Sequence, residues 1–101
     1  MSNPQEDTEV VDRITVSVPK KWNVIFYNDD KTPVDFVVAV LIEQYNHTVE
    51  KAKEVTLNIH EKGKGIAGTY YLEIAEQKCS ETIRFARDQG FPLQVDIEKL
   101  K

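Results

Sequence analysis

Residue types suited to chemistry concentrate in one stretch, Val24-Ile-Phe-Tyr-Asn-Asp-Asp-Lys-Thr-Pro33, and in His60 further along. An apolar run leads into three short polar acceptors, Asn28, Asp29 and Asp30. Such side chains bond their own backbone and make turns. Thr32 and Pro33 then read as a helix start, Thr32 as the cap and Pro33 in the first helical position. Acceptors at the lip of an apolar floor suit a ligand with a cationic head and an apolar side group. The free N-terminus of a protein that begins with a large hydrophobic residue is such a ligand.

Other chemistries fit these residues less well. Two carboxylates and an imidazole can perform acid–base catalysis, but no nucleophile has a base at hand and there is no phosphate-cradling loop. His47 and His60 lack the close helical spacing of a zinc-binding pair. One Asp pair with one His makes a thin metal site, so neither an enzyme nor a cofactor or metal is expected. Gly63-x-Gly65-x-x-Gly68 matches a dinucleotide-binding spacing, but it follows a helix and enters a strand, the wrong context. The plainest reading of Asn28 and Asp29 is that they only form the turn. The plainest reading of Glu73-x-x-Glu76-x-Lys78 is a solvated helix face.

The elements that must position these residues belong to one small domain. A chain of 101 residues with 41% hydrophobic and 30% charged residues can bury a single core without staples. The net charge of -4 argues against a nucleic-acid partner, which selects a basic face. Cys79 is the only cysteine, so no internal disulfide forms and a reducing compartment is expected; its place in a helical pattern predicts a packed thiol. No apolar run reaches the roughly 18 residues of a membrane span, and the acidic start does not read as a signal peptide. These features predict a cytoplasmic protein that engages no membrane.

Residues 1–8 are polar and acidic and predict disorder. Val10–Lys21, with a weak alternation at Ile14, Val16 and Val18, reads as an extended arm. Residues 1–21 are thus expected to form a flexible extension, and 22–101 the folded domain. Trp22–Tyr27 is aromatic and β-branched, a strand. The helix after Pro33 runs to about Tyr45 with Asn46 as its stop, and is apolar enough to be mostly buried. Thr48 caps a second helix in which Val49, Ala52, Val55, Thr56 and Ile59 recur at helical spacing. Ile66–Tyr71 reads as a strand, with Gly68 marking a bulge or a close approach. Leu72–Gln89 is a third helix that ends at Gly90, and Leu93, Val95 and Ile97 alternate as a last strand. The order β-α-α-β-α-β predicts an α+β fold, three helices on one face of a three-stranded antiparallel sheet.

The run Val24–Phe36, with Asn28-Asp29-Asp30-x-Thr32-Pro33 at its centre, resembles the signature of the ClpS family. The likeness continues through Val49-Glu50-x-Ala52, His60-x-x-Gly63-Lys64-x-Ile66-x-Gly68, Glu73-x-Ala75-Glu76-x-Lys78, Ala86-Arg87 and Pro92-Leu93. The resemblance implies a monomeric, non-enzymatic adaptor. Such an adaptor captures proteins by a free N-terminal Phe, Tyr, Trp or Leu (an N-degron) and delivers them to a ClpA- or ClpC-type AAA+ unfoldase. It implies that Asn28, Asp30 and His60 hold the α-amino group. It further implies a side-chain pocket of Phe26, Asp29 (through its backbone), Thr32, Val34, Val37, Thr56, Ile59 and Leu93. Unfoldase docking falls to Glu73 and Lys78, with Lys31 beside the motif. Where the family often carries Met, this chain has Val34 and Thr56, and Phe26 stands where a smaller aliphatic residue is usual. An alternative is a regulator of the same ATPase that has lost N-degron binding.

Overall fold

The computed structural model describes residues 8–11, 14–17 and 19–100. The elements are β1 (Thr8–Val11), β2 (Ile14–Ser17), β3 (Lys21–Tyr27), α1 (Val34–Tyr45), α2 (Val49–Lys62), β4 (Lys64–Tyr71), α3 (Leu72–Asp88) and β5 (Gln94–Lys99). From β3 onward this is the expected β-α-α-β-α-β order. β1 and β2 form a separate antiparallel pair running from Thr8↔Ser17 to Val11↔Ile14. The sequence pointed to β2 alone; Thr8 and its β-branched neighbours Val10 and Val11 supply the partner strand. The expected disorder of residues 1–7 lies outside the described residues.

β3 is the central strand of the main sheet, order β4-β3-β5, antiparallel to both neighbours. Its alternation sends Val24 and Phe26 into the core, where both are fully buried. The register with β4 steps between Val24↔Gly68 and Ile25↔Ile66, leaving Ala67 as the extra residue of a bulge beside Gly68. The Ala67 carbonyl oxygen accepts from His47 Nε2 at 2.6 Å, which ties the end of α1 to the bulge.

The helices cover the core face. α1 contributes Val37, Val40, Leu41 and Tyr45; α2 contributes Ala52, Val55 and Ile59; α3 contributes Ala75 and Ala86. Asn46 closes α1 in the left-handed conformation, φ 59. Thr48 caps α2 by accepting the Lys51 N–H at 3.1 Å. Tyr45 reaches from α1 to α3, sharing a 2.6 Å hydrogen bond with the Thr82 hydroxyl. Burial pushes the Tyr45 phenol far above its ordinary range, although the Thr82 bond opposes this. Cys79 is half-buried, donates to the Val95 carbonyl oxygen at 3.5 Å, and is pushed up by burial and by Asp96. It is a packed thiol. Among the described residues, no helix is long and apolar enough to cross a membrane.

Candidate functional site

Residues 28–33 join β3 to α1, and Asp29 organises them. Its Oδ1 accepts the backbone N–H of Lys31 and of Thr32, each at 2.7 Å, and its Oδ2 accepts the Thr32 hydroxyl at 2.8 Å. Partial burial pushes the Asp29 carboxyl up. The hydrogen bonds from Thr32 and Lys31, with the Arg87 charge, outweigh it and hold the group below the usual carboxylate value. Asp29 is thus spent on the turn.

Thr32 does not take the role expected of it. A capping hydroxyl must accept a helix N–H; the Thr32 hydroxyl donates to Asp29, and among the described residues no N–H donates to it. The cap position falls to Pro33, with φ -66, ψ 144 and no side-chain cap bond. The Pro33 carbonyl oxygen accepts from Phe36 and Val37 at 3.1 and 3.2 Å.

Opposite the turn stands the last part of α2. Thr56, Ile59 and His60 share one face by their spacing. Ile59 is drawn close to β4, because a Cβ built on Gly65 would meet Ile59 Cγ1 at 2.8 Å and the Val55 carbonyl oxygen at 3.2 Å. Gly63 ends the helix at φ 90, a conformation that glycine adopts without steric penalty. The Gly63 N–H donates to the Ile59 carbonyl oxygen, and the Gly63 carbonyl oxygen accepts the Asn28 N–H, both at 2.9 Å. This second bond fastens the His60 end of α2 to the polar turn. The third wall is Leu93, 1% exposed. Its carbonyl oxygen and that of Phe91 accept from Arg87 Nη1 at 2.8 and 3.0 Å.

These elements enclose a cavity of about 280 Å³. Asn28, Asp29, Asp30, Thr32 and His60 supply its polar lining, and Tyr27, Val34, Val37, Thr56, Ile59 and Leu93 the rest. Asn28, Asp30 and His60 are exposed, and among the described residues none of the three side chains has a hydrogen-bond or ion-pair partner. Val34 stands 59% exposed. The site therefore offers an amide oxygen, a carboxylate and an imidazole nitrogen, all unspent, beside an apolar chamber.

Of the residues expected around the pocket, Phe26 alone is not on its lining. It is 0% exposed, and its ring meets that of Tyr45 edge-on at 5.5 Å. Tyr27, the next residue and the last of β3, lines the cavity in its place. Its position directly before Asn28 was the available signal. The residues expected to dock an unfoldase lie apart from the cavity lining or at its margin. Glu73, in the first turn of α3, borders a groove of about 600 Å³ with Trp22, Tyr71, Leu72 and Ile74. Lys78 is half-buried; its ammonium donates to the Gln44 carbonyl oxygen at 2.5 Å and lies over the Tyr45 and Tyr70 rings at 5.4 and 5.7 Å. Lys31 is exposed in the turn. No cluster of three or more potential metal-ligating side chains occurs among the described residues.

The family described as "ATP-dependent Clp protease adaptor protein ClpS" matches residues 17–96. An ATP-dependent Clp protease adapter protein ClpS of Desulforapulum autotrophicum is 46% identical over 81 residues, 80% of this chain and 78% of that one. One from Vibrio atlanticus is 37% identical over 99 residues, 98% of this chain and 93% of that one. Agrobacterium tumefaciens ClpS2, solved bound to L-phenylalaninamide, superposes with a TM-score of 0.79 at 30% identity, covering 82% of this chain and 100% of that chain. The chain belongs to the ClpS family of Clp protease adaptor proteins.

Proposed function

We propose that this adaptor captures proteins through a free N-terminal amine and a large hydrophobic first side chain, and hands them to a Clp AAA+ unfoldase. The observation that carries the reading is the trio of unpartnered acceptors, Asn28, Asp30 and His60, at the opening of an apolar cavity. An ammonium has donors only, and an amide oxygen, a carboxylate and a neutral imidazole nitrogen can receive them. Each charge-assisted hydrogen bond contributes about 1.5–3 kcal/mol, and burial of a Leu or Phe side chain about 1.5–3 kcal/mol. After the cost of association, micromolar or tighter binding is the expected scale. The ligand in the solved relative, L-phenylalaninamide, has this chemistry: a free amine beside a benzyl group.

Fluorescence anisotropy with short peptides tests the reading. Peptides beginning with Phe, Tyr, Trp or Leu should bind when the amine is free and fail when it is acetylated, since acetylation removes the charge and leaves one N–H donor of three. Equal binding of acetylated and free peptides would overturn the role of the trio. Asp30→Ala should weaken binding about tenfold or more, the equivalent of losing one charge-assisted bond.

For the unfoldase, the groove bordered by Glu73 is the better-supported contact. Tyr71, Leu72 and Ile74 expose 50%, 39% and 47% of their surface there, and such a patch with a charged rim suits a protein partner. Lys78 instead packs on Gln44, Tyr45 and Tyr70, and Lys31 lies beside the cavity.

A further inference from the structure

The apolar part of the cavity holds one polar side chain that the capture of an N-terminus leaves without a task. Thr56 stands among Val34, Val37, Ile59 and Leu93 and is 8% exposed. Its hydroxyl donates to the Ala52 carbonyl oxygen, one turn back on α2, at 2.8 Å. A hydroxyl has one hydrogen and two acceptor lone pairs. With the hydrogen committed to the helix, Thr56 retains acceptor capacity alone. Among the described residues, no group donates to its Oγ1.

Thr56 and His60 are four residues apart on the cavity face of α2, separated by about 6 Å along the axis. A ligand whose amine is held beside His60 has room to run its side chain along that face. A ring with a donor at its far end then meets an acceptor, and a plain ring does not. Resting on the adaptor reading above, we infer that Thr56 is a specificity-determining residue that favours N-terminal tyrosine over phenylalanine, through a hydrogen bond from the phenol to Thr56 Oγ1. An aliphatic side chain at this position would reverse the preference, because a buried phenol without a partner is costly.

The test uses the full chain and peptides identical after their first residue, which is Phe, Tyr, O-methyltyrosine or Leu. The wild-type protein should bind the Tyr peptide about three- to tenfold more tightly than the Phe peptide, the scale of one neutral hydrogen bond. O-methyltyrosine keeps the oxygen but has no donor, and should lose that advantage. Thr56→Ser should keep the Tyr preference, and Thr56→Val should abolish or invert it. Tyr and Phe affinities within twofold in the wild type would overturn the inference and leave the adaptor reading standing. So would a Tyr preference that survives in Thr56→Val. Failure of every free-amine peptide to bind would overturn both. The Tyr–Phe comparison needs no variant, so it can overturn the inference even if a substitution impairs folding.

Discussion

At the residue scale, the site depends on a division of labour among three neighbouring acceptors. Asp29 spends both carboxylate oxygens inside the turn, which leaves Asn28 and Asp30 held in place with their side chains unspent. Asp29→Ala should therefore act through the turn, destabilising the fold by about 0.5–2 kcal/mol, as loss of a comparable cap does, and weakening peptide binding as Asn28 and Asp30 lose their posture. Asp29→Asn isolates the charge. The Asp29 pKa is depressed by the fold, so its stabilising contribution is complete above the unfolded carboxylate value of about 3.9 and disappears as pH falls through the lower folded value. Chemical denaturation should show wild type more stable than Asp29→Asn at pH 7, with the gap narrowing below about pH 4. An unchanged gap at pH 3 would contradict the assignment.

At the element scale, the decisive contact is between the end of α2 and the turn after β3. Gly63 adopts φ 90 and its carbonyl oxygen receives the Asn28 N–H. A Cβ there would meet nothing within 4 Å, so Gly63→Ala has a backbone penalty only, about 1 kcal/mol. Peptide affinity should fall with it, because the strain is relieved by moving Asn28 and His60 apart. Loss of stability with wild-type affinity would show that the two halves of the site are positioned independently. Lys78 makes a second junction, between α3 and the end of α1. Lys78→Met should lower stability by about 1–2 kcal/mol, so any loss of unfoldase binding in this variant must be compared with its stability before it is read as a lost contact.

Much of this was legible in the residues. Thr48 and Asn46 bracket the α1–α2 connection by side-chain chemistry that acts locally, and the alternation of β5 is set by burial on one face. The errors arose where a residue had two partners to choose between. Thr32 is a good cap by type, but the nearby carboxylate of Asp29 recruits its hydroxyl first. Phe26 and Tyr27 are both aromatic at the end of a strand; Phe26 shares the core face with Val24 and meets Tyr45 there, which leaves Tyr27 to line the cavity. β1 was missed because Thr8 follows an acidic, polar run, and its pairing with β2 is a contact between segments that neither segment announces.

At the scale of the whole molecule, the cavity and the Glu73 groove have separate linings. Capture and docking should therefore be separable. Ile74→Ser, on the exposed part of the groove, should weaken binding to a Clp unfoldase while peptide affinity stays within about twofold and stability within about 0.5 kcal/mol. Isothermal titration with the two partners checks this, and a parallel loss of peptide binding would refute the separation.

The strand order β4-β3-β5 has one more consequence. β5 is an outer strand, and its Asp96, Glu98 and Lys99 are exposed. Charged side chains on such an edge discourage a foreign strand from extending the sheet. Sheet extension is a common way of gripping a peptide anywhere along its length, since it reads backbone rather than ends. If the adaptor selects chain termini as proposed, a border hostile to passing segments would let an unfolded client thread past without being held by its middle.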